Sequence, residues 1–209
     1  MKIVVFGASG RMGIKVVEQA LEAGHIVTAF LRTPSKISIQ HPNLTLFQGD
    51  VMDAAAVEKA VVGQEVVISV LHTTRPPVPG LMETAAKNII SAMQKHGIRR
   101  IISTTGAAVP QPEDQPKVGD RLINVLLNIL DKNFVIDSSA NVKVIQASNL
   151  DWTIVRFPRV MDGARTGKYR VAYIGKDSGT QISRADGADF VLKELTEKKW
   201  LRKAPVVSY

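Results

Sequence analysis

The sequence contains no cysteine and few aromatic residues, which make up 5 % of its 209 positions. Without cysteine the chain can form no disulfide bond, thiolate metal site or cysteine nucleophile, and its composition suits a reducing compartment. No stretch approaches the roughly 18 consecutive apolar residues that cross a membrane, and the first residues lack the pattern of a signal peptide. We therefore expect a cytoplasmic protein with no membrane partner.

Acidic residues are fewer than basic ones: 19 Asp and Glu stand against 27 Lys and Arg, which gives a net charge of +8 and a pI of about 9.8. Such a surplus attracts either polyanions or a small anionic ligand. The basic residues are scattered, and the few aromatic residues do not interleave with them. Nucleic acid is therefore disfavoured as the main partner, because nucleic-acid-binding surfaces usually cluster their basic residues.

Apolar runs alternate with helical patterns along the chain, which indicates a parallel sheet built from βαβ units. Strands are predicted at 3–6, 26–31, 44–47, 66–71, 101–102, 152–155, 169–174 and 206–207. Helices are predicted over 16–21 with an end at Gly24, and at 53–61, 81–96, 122–130, 139–147 and 186–197. We predict an α/β fold: a Rossmann-type doubly wound parallel sheet with helices on both faces. It forms one domain over 1–209, with a core at about 1–156 and a small substrate-side extension at about 157–209.

A glycine-rich segment, GASGRMG at 7–13, follows the first strand directly and opens the first helix. Gly7 permits a tight turn, Gly10 lets the backbone approach a pyrophosphate, and Gly13 allows close packing of helix on strand. The free N–H groups and the dipole of the helix N-terminus favour an anion there. Glycine triplets also occur in turns that bind nothing, but the order strand, glycine loop, helix, strand predicts a dinucleotide site.

The end of the second predicted strand indicates which dinucleotide is bound. An NAD site usually has Asp or Glu there, on the ribose 2′-hydroxyl, whereas this chain has Arg32 followed by Lys36. A guanidinium binds a 2′-phosphate through a bidentate fork, so NADP(H) is favoured over NAD(H). The alternative is two solvated surface cations. Asp50, after the third strand, is placed to accept a hydrogen bond from the adenine amino group.

Five segments, at 7–13, 31–36, 48–51, 150–158 and 182–188, together resemble the atypical short-chain dehydrogenase/reductase family. The similarity covers nearly the whole chain and is greatest to the NAD(P)H-binding subgroup that includes flavin reductase/biliverdin-IXβ reductase. It implies phosphate contacts from Gly7, Ser9, Gly10, Arg11, Met12 and Gly13, and 2′-phosphate contacts from Arg32 and Lys36. It also implies adenine contacts from Asp50 and Val51, and ribose and nicotinamide contacts from Leu71, His72, Thr104, Thr105, Phe157 and Pro158.

The sequence indicates the reaction less clearly than it indicates the cofactor. Short-chain dehydrogenases commonly use Tyr-x-x-x-Lys, in which the lysine lowers the tyrosine pKa so that the tyrosine can pass on a proton. Here Lys143 follows Ser139 at that spacing, and all three tyrosines lie further downstream. The subgroup instead implies hydride transfer by positioning, with a proton from water. The candidate catalytic residues are Thr104, Thr105, Lys143 and His72, with the alternative that His72 only lines the ribose pocket.

We therefore expect an enzyme, an NADPH-dependent reductase that passes a hydride to a small conjugated acceptor such as a flavin or a quinone. The alternative is a non-catalytic NADP(H)-binding sensor that acts on a protein partner, which the missing tyrosine favours. Isomerase or epimerase chemistry ranks below both. No spacing of His, Asp and Glu indicates a metal site, and both a monomer and a homodimer remain compatible with the sequence.

Overall fold

The computed structural model describes residues 1–74, 76–117, 119 and 132–209. Within these ranges the strands are β1 (Lys2–Phe6), β2 (Ile26–Leu31), β3 (Leu44–Gln48), β4 (Val66–Ser69), β5 (Arg100–Gly106), β6 (Asp151–Phe157), β7 (Arg159–Met161), β8 (Arg170–Ala172), β9 (Gln181–Ser183) and β10 (Val206–Ser208). The helices are α1 (Arg11–Glu22), α2 (Ala54–Val61), α3 (Leu81–Lys95), α4 (Lys132–Gln146) and α5 (Arg184–Glu197).

Eight strands form one sheet in the order β3-β2-β1-β4-β5-β6-β10-β8. Every neighbouring pair is parallel except β10 with β8, an antiparallel pair at the edge. The chain runs outward from β1 to β3 and then resumes on the other side of β1 at β4. This reversal makes the sheet doubly wound, and it confirms the predicted Rossmann-type fold. Strands β7 and β9 pair separately, in parallel, beside the main sheet.

The central strands are buried on both faces because their sequences are apolar throughout, as in the IVVF run at the end of β1. Alternate side chains point to opposite faces, so Val4 and Phe6 join the core beneath α2, α3 and α4. Ile3 and Val5 join the core beneath α1 and α5. Helices therefore cover both faces of the sheet, as the sequence pattern predicts.

Helix ends show how neighbouring elements support one another. Asp53 accepts hydrogen bonds from the backbone N–H groups of Ala55 and Ala56, at 2.9 and 3.2 Å, as expected of a predicted N-cap. The N-cap of α3 is Gly80, which has no side chain. Instead Asp137 of α4 accepts from the N–H of Met82 with both carboxylate oxygens, each at 3.3 Å. Helix α4 thus caps α3 from a distance in the chain.

Several predicted boundaries differ from those in the structure, and the strand predicted at 66–71 ends at Ser69. The helix predicted at 139–147 spans Lys132–Gln146, because tertiary contacts such as buried Val135 extend it toward its N-terminus. The strand predicted at 169–174 is limited to Arg170–Ala172, the residues that pair with β10. The short strands β7 and β9 were not predicted. The helix predicted at 122–130 lies outside the described residues. No helix in the described ranges is long and apolar enough to cross a membrane.

Candidate cofactor and substrate site

Two adjoining cavities open at the carboxyl ends of the parallel strands. The larger has a volume of about 840 Å³ and the smaller about 210 Å³, and both are lined by Gly10, Val70, Leu71 and His72. Gly10 follows β1 and the other three residues follow β4, and the strand order reverses between these two neighbouring strands. Ligands of doubly wound sheets bind at this switch point, so the cavities together form a continuous candidate site.

The glycine loop forms the floor of the site where the two cavities meet. Gly7 has a φ of +82°, and a Cβ there would lie 2.7 Å from the carbonyl oxygen of Val70. A Cβ on Gly13 would lie 2.1 Å from the carbonyl oxygen of Gly7, so α1 can approach β1 only without a side chain. Gly10 occupies the N-cap of α1. The N-terminus of α1 therefore lies at the cavity and has no side chain at its N-cap, which suits a pyrophosphate.

The smaller cavity begins at the glycine loop and ends at Arg32, which is exposed and follows β2 directly. Asp50 and Val51 also line it. One carboxylate oxygen of Asp50 accepts from the N–H of Met52 at 2.9 Å, which leaves the other oxygen for a ligand. Lys36 lies in the short 3₁₀ turn Pro34–Lys36 and is exposed, but it is not one of the residues that line the cavity.

The larger cavity is bounded by the ends of β5 and β6, where Thr104, Thr105, Phe157 and Pro158 all line it. Thr104 is 7 % exposed. The hydroxyl of Thr105 is buried and has no hydrogen-bond partner within the described part of the chain. A buried hydroxyl without a partner is costly, so Thr105 is the polar side chain in this lining whose hydrogen bonding is left incomplete among the described residues.

His72 and Phe134 form an aromatic pair in the wall of the larger cavity. Their rings lie 5.0 Å apart between centroids and 23° from parallel. The His72 Nδ1 lies 3.0 Å from the carbonyl oxygen of Thr73, a distance that suits an Nδ1–H donor. Phe134 also covers the end of β5, since a Cβ on Gly106 would lie 2.9 Å from its Cζ. Sequence analysis missed Phe134, because the predicted helix began after it.

Lys143 is exposed on α4 and does not line either cavity. The residues of α4 that line the larger cavity are Phe134 and Ser138, which lie one turn apart. Lys143 is five residues beyond Ser138, which rotates it about 140° around the helix at about 100° per residue. The expectation that Lys143 takes part in the site therefore does not agree with its position on α4. Ser138 replaces Ser139 as the serine that faces the cavity, and it is 2 % exposed.

The segment at 182–188 contributes Arg184 to the lining of the larger cavity and also holds a neighbouring loop in place. Asp186 accepts hydrogen bonds from the N–H groups of Thr166 and Gly167, both at 2.8 Å, and from the hydroxyl of Tyr209 at 2.7 Å. Burial opposes ionisation, but the hydrogen bonds from Thr166, Tyr209 and Gly167 outweigh it and hold the pKa of Asp186 below its ordinary value. Asp186 thus fixes the start of α5 to the loop before β8.

Tyrosine does not contribute to the lining of the larger cavity among the described residues. The hydroxyl of Tyr169 donates to Asp189 at 2.7 Å, and burial together with that carboxylate raises the Tyr169 pKa far above its ordinary value. It is therefore a weaker acid than a free tyrosine, unlike the tyrosine of a Tyr-Lys pair, whose pKa the lysine lowers. In the described ranges no group of His, Asp and Glu is arranged to hold a metal ion.

The doubly wound sheet with a glycine loop at its switch point defines a Rossmann protein of the NAD(P)-binding class. The sequence model of the NAD(P)H-binding family matches residues 7–198, and the chain belongs to this family. This membership agrees with the resemblance that the sequence motifs indicate, and the fold is that of an NAD(P)H-binding oxidoreductase.

Individual relatives share only a modest sequence identity with this chain. A 3-beta-hydroxysteroid dehydrogenase of Mycolicibacterium neoaurum is 29 % identical over 120 residues, which cover 52 % of this chain and 32 % of the relative. The chain thus matches about a third of the length of that enzyme.

Solved structures match over a greater length. A short-chain dehydrogenase/reductase of Veillonella parvula in complex with NADP has a TM-score of 0.81 and 21 % identity, with 100 % of this chain and 94 % of that chain covered. ChuY, an anaerobillin reductase of Escherichia coli O157:H7, has a TM-score of 0.82 and 22 % identity, with 100 % and 97 % covered. At these identities the two structures establish a shared fold.

Proposed function

We propose that the protein is an NADPH-dependent reductase of a small, conjugated acceptor such as a flavin or a quinone. The observation that carries the proposal is the continuous site itself. It extends from Arg32 past the glycine loop to Thr104 and Thr105, and it then widens into a cavity of about 840 Å³. That volume lies within the range of small-molecule sites, and it leaves room for an acceptor beside the nicotinamide.

The preference for NADPH rests on the charge at the adenosine end. Arg32 lines the smaller cavity and makes no ion pair with any residue in the described ranges. Asp50 is the acid in that lining, and it follows β3 rather than β2, where an NAD-specific carboxylate usually lies. The complex of the Veillonella parvula structure with NADP supports the same choice.

Catalysis in this proposal depends on position rather than on a dedicated acid. When bound, the reduced nicotinamide supplies a hydride, and the acceptor gains this hydride and one proton from water while the cofactor leaves oxidised. Thr104 and Thr105 would hold the nicotinamide from the end of β5, and Phe157 and Pro158 would back it from the end of β6. His72 stacks on Phe134 and lines the ribose and acceptor side. Holding the two reactants in contact accounts for the rate increase.

The test combines turnover with binding. NADPH oxidation is followed at the nicotinamide absorbance with a panel of flavins and quinones, and NADPH binding is measured separately by calorimetry. Turnover with at least one acceptor is the expected result. Tight NADPH binding without turnover on any acceptor would instead support the sensor function, for which the lack of a tyrosine in the cavity lining is the favouring observation.

A further inference from the structure

Gly187 lies inside helix α5, at a position where alanine would favour the helix more strongly. It is buried, and glycine within a helix lowers stability relative to alanine. A Cβ at Gly187 would lie 2.8 Å from the Cε of Met12 and 3.2 Å from both Cε1 and Cζ of Phe157. Non-bonded carbon atoms pack at about 3.5–4.0 Å, so these two side chains occupy the space that a larger residue would need.

Met12 and Phe157 belong to different elements and meet beside Gly187. Met12 is the second residue of α1, and Phe157 is the last residue of β6. Both line the larger cavity, and both pack into the core beneath α1 and α5. They therefore form a section of the cavity wall, and Gly187 contacts this section from the protein side.

The side chain of Met12 is apolar and lines the larger cavity. It is not part of the lining of the smaller cavity, which ends at Arg32. A thioether has no hydrogen-bond donor, so only the backbone N–H of Met12 suits a phosphate. Methionine sulfur makes favourable contacts with aromatic rings. The position of this side chain in the wall therefore suits a flat ring rather than a phosphate.

The groups around Met12 are held more firmly than the Met12 side chain itself. The carbonyl oxygen of Ala185, in the first turn of α5, accepts from Nε2 of Gln19 in α1 at 2.9 Å. Asp186 ties the same turn to the loop before β8. Phe157 is 5 % exposed, and its backbone lies in the ladder of β6 with β5. Met12 is unbranched and flexible, so a methyl group added at position 187 would displace its side chain into the cavity.

We propose that Gly187 is a positioning residue of the cofactor site. Its lack of a side chain leaves the space in which the end of Met12 lies, and Met12 and Phe157 then form the wall against which the nicotinamide ring binds. The proposal rests on the proposed function, in which Phe157 backs that ring. A residue of α5 that does not line the cavity thus determines how far the ring enters it.

Two ligands that differ in the nicotinamide half test the proposal. NADP⁺ contains the nicotinamide, whereas adenosine 2′,5′-bisphosphate has the adenosine and its 2′-phosphate without it. Dissociation constants for both are measured by calorimetry. Gly187→Ala should weaken NADP⁺ binding at least about fivefold, the lower end of the cost of overpacking. The binding of adenosine 2′,5′-bisphosphate should not change, because this ligand does not reach the wall.

Removal of the displaced side chain should cancel the effect of the added methyl group. Met12→Ala alone should weaken NADP⁺ binding about two- to tenfold, because apolar contact with the ring is lost. In the Met12→Ala background, Gly187→Ala should cause no further loss, since the side chain that it would displace is gone. Such non-additivity is the signature of two residues that act through one contact.

Gly63→Ala is the control for a loss of stability alone. Gly63 has a φ of +74° and no atom within 4 Å of its Cβ position, so alanine there strains the backbone without contacting the site. We expect this variant to bind both ligands as the parent protein does. Urea denaturation shows whether it is at least as destabilised as Gly187→Ala.

Three results would overturn the proposal: equal weakening of both ligands by Gly187→Ala, unchanged NADP⁺ binding by this variant when folded, or additive effects of the two substitutions. If Gly187→Ala does not fold, Met12→Ala decides, because unchanged NADP⁺ binding would exclude its side chain from the nicotinamide wall. Failure of the reductase function would appear differently, as NADP⁺ binding by the parent protein without NADPH oxidation on any acceptor.

Discussion

Arg156 and Asp114 form a bidentate ion pair inside the protein, with Nη1–Oδ2 and Nη2–Oδ1 distances of 2.7 Å. The arginine side chain is fully buried, and the aspartate side chain is 7 % exposed. Arg156 also donates to the carbonyl oxygen of Ala204 at 2.7 Å, and Asp114 accepts from the N–H of Ile174 at 3.1 Å. The pair therefore joins β6, the loop after β5 and the segment after β8 behind the larger cavity.

Replacing Arg156 with Met should lower the free energy of unfolding by about 3–5 kcal/mol, because Asp114 would remain buried without its partner. Urea denaturation measures the change. The double variant Arg156→Met/Asp114→Leu should recover much of the loss, since no uncompensated charge remains. A loss below about 1 kcal/mol in the single variant, as for a surface pair, would contradict the structural role assigned to this ion pair.

Charge reversal at Arg32 should change cofactor choice. Arg32→Glu removes the fork for a 2′-phosphate and adds a carboxylate that repels it but accepts from a 2′-hydroxyl. We expect NADPH to bind at least about tenfold more weakly, by the strength of charge-assisted hydrogen bonds, and NADH to bind as before or better. Lys36→Gln is the control with a smaller expected effect, since Lys36 does not line the cavity. Equal losses for both cofactors would refute the role of Arg32.

Two glycines with similar backbones should respond differently to alanine. Gly7 and Gly63 have φ angles of +82° and +74°, but a Cβ meets the Val70 carbonyl only at Gly7, whereas nothing lies within 4 Å at Gly63. Both changes should lower the free energy of unfolding by about 1–2 kcal/mol through backbone strain. Only Gly7→Ala should also abolish NADPH binding in calorimetry. Normal binding by a folded Gly7→Ala variant would show that the loop does not need its observed shape.

Removal of the Phe134 ring should weaken the binding of the acceptor rather than the binding of the cofactor. Phe134→Ala is expected to raise the KM for a flat acceptor about two- to tenfold, which corresponds to the stacking contribution of an aromatic pair. Steady-state kinetics at saturating NADPH give this value. Ile136→Ala on the same helix is the control, because Ile136 is 57 % exposed and does not line the cavity. An unchanged KM in Phe134→Ala would exclude the ring from acceptor binding.

Asp186 should contribute to acid stability. Its pKa in the folded protein is lowered from the ordinary value of 3.8, so the ionised form favours folding. Its contribution is complete above about pH 4, near the unfolded pKa, and disappears as the pH falls through the folded pKa. Asp186→Asn should therefore be destabilised at pH 7, and its difference from the parent protein should shrink toward pH 3.

Chemical denaturation at several pH values measures this difference. Asp177→Asn serves for comparison, since the Asp177 side chain is 74 % exposed and pairs with Arg170 at the surface. That variant should differ little from the parent at any pH. A stability difference for Asp186→Asn that stays constant down to pH 3 would mean that Asp186 acts through packing alone.

Several residues that the sequence predicts for the nucleotide site line the smaller cavity, among them Gly7, Arg32 and Asp50, and the sequence signals for them are local. The glycine loop, the cation at Arg32 and the cap at Asp53 each act within a few residues of the turn or helix they define. The Rossmann order follows from the alternation of apolar runs with helical patterns, and the structure confirms it.

The lining of the larger cavity depends on contacts between segments that are distant in the chain. The hydrophobic periodicity of the sequence does not predict such contacts. Phe134 lies in α4, its ring contacts the end of β5 at Gly106, and Asp137 of the same helix contacts α3 at Met82. Arg184 lies in a segment that the sequence motif includes, but its position in the lining of the larger cavity depends on the pairing of β7 with β9. The exposure of Lys143 follows equally from the orientation of α4, which only the packed structure defines.

The capping of α3 by Asp137 has a mechanical consequence. Asn141 adds a second link between the same helices, since its amide donates to the carbonyl oxygen of Met82 at 3.0 Å. Separating α3 from α4 would strip both partners from Met82 at once. The wall of the larger cavity that Met82, Phe134 and Ser138 form is therefore held by hydrogen bonds between two helices, so a change at Asp137 or Asn141 would also alter the cavity.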